Sequence, residues 1–101
     1  MLNPAPDVKD QPQLVTEVWR TYIIGADVVL VCVLPGTGKI RVTTPLTVSD
    51  LAEQRFETAS GRVYQCVGSM APDTQVFRLA LFLNGLIPDV ASFTGAPRSV
   101  Q

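Results

Sequence analysis

A chain of 101 residues is one domain's worth, and folding at this size removes roughly two-thirds of the surface that the unfolded chain would expose, so a single modest core is expected. A hydrophobic share of 47% against 17% charged residues excludes the low-hydrophobicity, high-charge regime of disorder. Eight basic side chains against nine acidic ones, with no histidine, exclude the strong net field that draws in nucleic acid or anionic lipid non-specifically.

Residues 1–12 hold Pro4, Pro6 and Pro12 with scattered charges and no apolar period, which predicts a flexible N-terminal arm. From Leu14 to Ile24 the chain is rich in β-branched and aromatic residues, which suit a pleated surface, so one strand is expected there with Gly25-Ala26-Asp27 as its turn. Val28 to Leu34 is apolar at every position. Seven such residues between turn signals predict a central strand covered on both faces. Pro35-Gly36-Thr37-Gly38 supplies a tight reversal, and the alternating stretch from Lys39 to Thr44 is expected to return antiparallel.

Pro45 has no N–H to give a ladder, so Leu46-Thr47-Val48 reads as an edge continuation or a bend. Residues 49–54 read as a loop or a single helical turn, Asp50 and Glu53 fitting a capping box loosely. Arg55 to Thr58 and Arg62 to Val67 flank Ala59-Ser60-Gly61 as a second hairpin. One helix is expected from Thr74 to about Asn84, capped by Asp73 and stopped by Gly85 and Pro88, with Leu86 folding back on Leu81. Its stripe of Val76, Leu79, Ala80 and Leu83, widened by Phe77 and Leu81, is expected to cover the sheet. Residues 89–101 read as a coil tail.

These elements predict an α+β fold: residues 13–88 as one domain, an antiparallel sheet of four to five short strands with the C-terminal helix packed on one face. The first residues lack the basic and apolar regions of a secretory signal, and no apolar run reaches the ~18 residues of a membrane span, so a cytoplasmic location without membrane contact is expected.

Three groups of residues invite a functional reading. Pro35-Gly36-Thr37-Gly38-Lys39 resembles the core of the phosphate-binding Walker A loop of ATPases over five residues. It departs from that motif where Val33 stands for a glycine and Ile40 for the Ser or Thr, and a strand rather than a helix is expected to follow, so the string is read as a hairpin turn. Without histidine, a catalytic base would have to be a carboxylate or a lysine; Glu53 and Glu57 would share a face only if 50–57 were helical, and are read as solvated surface. Cys32 lies inside the most apolar run. Cys66 lies in an alternating strand, and neither cysteine has metal-ligand spacing, so both are read as inert.

Arg20, Lys39, Arg41, Arg55 and Arg62 fall on predicted strands or their ends and could gather into a basic patch for an acidic partner. Phe82 lies on the same side of the predicted helix as Gln75 and Arg78, the side expected to face water, which makes it either a deeply buried residue or part of a contact surface. The sequence thus points to a small binding or adaptor protein without cofactors, acting through a protein partner or as a homodimer. Nucleic-acid binding through the strand arginines and a small histidine-free enzyme are the alternatives. In size and composition the chain is like inhibitors and accessory factors of phages and other mobile elements.

Overall fold

The computed structural model describes residues 13–89. The expected arm at 1–12 and the tail from residue 90 onward lie outside the described residues. Among the described residues seven strands and one helix follow in order: β1 (Gln13–Thr16), β2 (Trp19–Ile24), β3 (Asp27–Val33), β4 (Ile40–Val42), β5 (Leu46–Asp50), β6 (Arg55–Thr58), β7 (Val63–Cys66) and α1 (Gln75–Leu83). The class is α+β as expected, but the strands number seven and divide between two sheets. One has the order β1-β7-β6-β5 and the other β2-β3-β4. Pairing is antiparallel except between β1 and β7, which run parallel.

The division begins where a single first strand was expected. Between β1 and β2 the chain bends at Glu17 and Val18, both exposed. The buried Thr16 hydroxyl donates to the Val33 carbonyl at 2.8 Å, while the Val33 amide donates to Val18 at 2.9 Å. These bonds hold the bend against the end of β3, so β1 joins one sheet and β2 the other. The break in the second half of the sheet pattern falls at Pro45, between β4 and β5, where a residue with no N–H cannot continue a ladder.

The apolar run explains the layering. In β3 successive side chains alternate between faces, and Leu30 and Cys32 enter the space between the sheets with Leu14, Trp19, Phe56, Tyr64 and Cys66. Trp19 and Phe56 meet there at 5.5 Å between ring centroids, tilted by 48°. Val29 and Val31 point the other way, onto Tyr22, Phe77 and Leu81. The three-stranded sheet is therefore the middle layer of three, and β3 at its centre is apolar on both faces because both are covered.

The turns behave as their residues demand. Gly25 sits at φ +62° as the first of the two residues joining β2 to β3, the position where a two-residue hairpin of the II′ class places glycine. Residues 51–54 form a turn between β5 and β6, with the Asp50 carboxylate accepting the Glu53 amide at 3.0 Å and Gln54 at φ +55°. Among the described residues, no helix is long and apolar enough to cross a membrane.

Candidate interaction surface

A strap and a latch position the helix. The segment after β7 crosses β2: the Trp19 indole N–H donates to the Val67 carbonyl at 3.3 Å, the Ala71 amide to Trp19 at 2.8 Å, and an Arg20 guanidinium N–H to the Ala71 carbonyl at 2.9 Å. The Tyr22 hydroxyl then donates to Asp73 Oδ1 at 2.7 Å, and Arg78 from the first turns of α1 grips the same carboxylate, with Nη2 at 2.7 Å and Nε at 3.0 Å from Oδ2. Burial alone would raise the Asp73 carboxyl, but the hydrogen bonds from Arg78 and Tyr22 outweigh it and hold the group below the usual carboxylate range. Tyr22, desolvated and bonded to an anion, is pushed well above its ordinary value.

Because Asp73 is engaged in this latch, it does not cap the helix. Thr74 does so instead, its hydroxyl accepting the Phe77 amide at 3.2 Å. The far end closes as expected. Gly85 at φ +73° allows its amide to reach Phe82 and that of Leu86 to reach Leu81 at 3.0 Å, a Schellman cap that packs Leu86 against the cluster containing Leu81. Beyond it, the Asp89 amide donates to Ile23 at 2.8 Å, tying the start of the expected tail to β2.

With both ends fixed, the inward face of α1 is Phe77, Ala80 and Leu81. The expected stripe is thereby corrected: of its core, only Ala80 is buried, while Val76, Leu79 and Leu83 are each exposed by 57–58%. Phe82 is exposed by 68% and is not a core residue. At 100° per residue, Val76, Leu79, Phe82 and Leu83 share one arc on the side away from the sheet. Gln75 lies within that arc and Arg78 at its edge, both exposed. Arg78 is the charged residue of this helix, and Asp73 neutralises it. Ile87, just past the cap, is 76% exposed. The outer side of α1 is thus a continuous apolar strip with little net charge.

The other candidates fare differently. Arg20, Arg41 and Arg62 are exposed by 4%, 9% and 3%, so they do not join Lys39 and Arg55 in a solvent-facing basic patch. Arg20 lies over the Tyr22 ring at 5.5 Å, Arg41 reaches the Tyr64 hydroxyl at 3.5 Å between the sheets, and Arg55 pairs with Glu57 at 3.2 Å. Strand alternation aimed Arg20 of β2 and Arg41 of β4 inward, which their residue type alone did not indicate. Glu53 stands on the turn after β5 and Glu57 on β6, with no helix to bring them onto one face.

Cys32 and Cys66 are buried in the same cluster, and desolvation pushes each thiol up to about 12, far from the range of a nucleophilic thiolate. In the Pro35–Lys39 reversal, Gly36 and Gly38 take positive φ and the backbone closes on itself, Leu34 N–H to Lys39 at 2.7 Å and Gly38 N–H to Leu34 at 3.1 Å. Lys39 N–H donates to the Thr37 hydroxyl at 3.2 Å. These amides are spent within the turn, and β4 follows it in place of a helix. The open groove of about 700 Å³ beside the turn carries Glu17 in its lining, a poor neighbour for phosphate.

No family model, curated protein or solved structure matches the chain. Sequence periodicity singled out Phe82, Gln75 and Arg78 for the outer side of α1 but assigned Val76, Leu79 and Leu83 to the core.

Proposed function

We propose that the chain works as a non-catalytic binding module, and that the outward face of α1 is where a protein partner docks. One observation carries this reading: a helix that is apolar nearly all round is ordinarily covered all round, yet Val76, Leu79, Phe82 and Leu83 stand more than half exposed opposite the face that packs on the sheet. Covering them in a contact would contribute roughly 25 cal/mol per Å² of apolar surface removed from water, offset in part by the entropy lost on association. The latch, the strap and the two caps support the reading further, because a surface held rigid loses little on binding.

A photo-activated cross-linking residue in place of Phe82, introduced into the full chain in its native cells, tests the proposal. Covalent capture of a second polypeptide is expected there and not from the same residue at the exposed Ala59 on the opposite hairpin. Equal yields from both positions, or none from position 82, would overturn it.

A further inference from the structure

The occupant of this face can be narrowed, and the step rests on the reading of α1 as a docking surface. We propose that α1 pairs with α1 of a second copy of this chain, antiparallel across a two-fold axis that passes near Leu79.

An isologous contact requires a surface complementary to itself, and three properties of this strip meet that requirement. The first is charge. Arg78 is gripped along one edge of its guanidinium, through Nε and Nη2, by Asp73 of the same chain, so two strips meeting face to face bring together no unbalanced like charges. The whole chain carries a net charge of only −1, which adds little long-range repulsion between copies. An acidic or basic partner, by contrast, would find no free countercharge along the strip.

The second property is shape. In antiparallel pairing centred on Leu79, positions three residues to either side face each other, so the smallest exposed side chain of the strip, Val76, meets the largest, Phe82. Large against small fills the seam evenly at both ends. Parallel pairing would set Phe82 against Phe82 and Val76 against Val76, crowding one end and leaving a gap at the other.

The third property is area. Exposed by 57–68%, the four side chains present roughly 450 Å² of surface per copy, on the order of 900 Å² for a pair. Gln75, exposed within the same arc, brings the total to the ~1,000 Å² that a specific interface needs. A contact of that size forms a reversible dimer and not an obligate one.

Sedimentation equilibrium on the purified full chain is expected to show a monomer–dimer equilibrium. Phe82→Asp should raise the dissociation constant about 30-fold or more while leaving the circular dichroism of the monomer unchanged. Leu79→Gln serves as a second variant should Phe82→Asp fold poorly. Register is read by oxidation: Leu79→Cys should form a disulfide with its own counterpart, whereas Val76→Cys should do so chiefly when mixed with Phe82→Cys. The native Cys32 and Cys66 are buried and do not compete.

A chain that remains monomeric at high concentration, while the cross-linker at position 82 captures a different protein, overturns self-pairing and leaves the docking reading standing. A cross-link within one chain, or none, overturns both. A dimer that persists unweakened in Phe82→Asp and Leu79→Gln places the contact elsewhere and also overturns the inference.

Discussion

Leu79 and Leu81 stand two positions apart in one helix, and replacing each by alanine removes the same atoms at nearly the same change in helix propensity, so the difference between the two variants reports burial alone. Leu81 is fully buried against the middle sheet in a cluster with Tyr22, Val29, Val31 and Phe77, and Leu86 folds over it. Truncation there loses the transfer free energy of the side chain and leaves a cavity, a cost of about 2–5 kcal/mol. Leu79 keeps 57% of its surface in water, so the same truncation in the monomer costs about 1 kcal/mol or less. Thermal unfolding by circular dichroism resolves the two, because each 1 kcal/mol moves the midpoint of a domain this size by roughly 4–8 °C. Leu81→Ala is expected to melt roughly 8 °C or more below the parent, and Leu79→Ala to fall by clearly less than Leu81→Ala.

The measurement belongs at low micromolar concentration, where the proposed pairing through α1 would contribute little. Repeated at a hundredfold higher concentration, the parent should gain stability by mass action and Leu79→Ala should gain less, widening their separation. Equal losses for the two variants at low concentration would show that Leu79 is core and would remove the exposed strip on which the docking reading stands.

Two further predictions concern the titrating groups. Burial raises the folded-state values of Cys32 and Cys66 from 9.0 to about 12, so between those limits the folded chain binds more protons than the unfolded one. Stability is therefore fully present below about pH 9 and falls as pH rises, with a slope approaching ~1.4 kcal/mol per pH unit for each thiol. Urea titrations between pH 9 and 10 should show that slope reduced by roughly a third in Cys32→Ala, because burial also raises Tyr22 and Tyr64 and they carry part of it, and an unchanged slope would refute the burial argument. At the acid end, Asp73 is held below its ordinary value, so the unfolded chain binds the extra proton and the latch contributes stability above about pH 4 that is lost as pH falls further. Tyr22→Phe removes one of the bonds to that carboxylate and should cost ~1.5–3 kcal/mol at neutral pH, a penalty that shrinks towards pH 3. A penalty constant across that range would mean that the hydroxyl acts through packing and not through the anion.

Much of the fold could be read because certain residues allow few alternatives. A run apolar at every position, ending in Pro35-Gly36, has to be covered on both faces, and β3 is. Gly61 and Gly85 mark positions where only positive φ closes the chain, and both the hairpin and the helix end fall there. The partition into two sheets was hidden, because the bend at Glu17 and Val18 carries neither proline nor glycine and is held by Thr16 bonding to Val33, a contact 17 residues distant. The buried arginines were hidden for a related reason. Alternation fixes which residues share a face but not which face is wet, and in a two-sheet fold a polar residue can be turned inward when a tyrosine or carbonyl waits for it.

The orientation of α1 is the more instructive failure, since the sequence contained a signal that periodicity overrode. Seven of the nine helical residues are apolar, so a hydrophobic stripe can be drawn in almost any direction, and the count favoured Val76, Leu79 and Leu83. The C-cap is more discriminating. Gly85 at the left-handed position commits Leu86 to fold back on the residue five before it, and that contact excludes water only if Leu81 itself faces inward. Once Leu81 is inward, Phe77 one turn earlier must be inward too, and Leu79, rotated by about 200° from Leu81, must face out. The cap residue thus decides which side of an almost all-apolar helix the domain keeps for its own core, and so which side it leaves exposed.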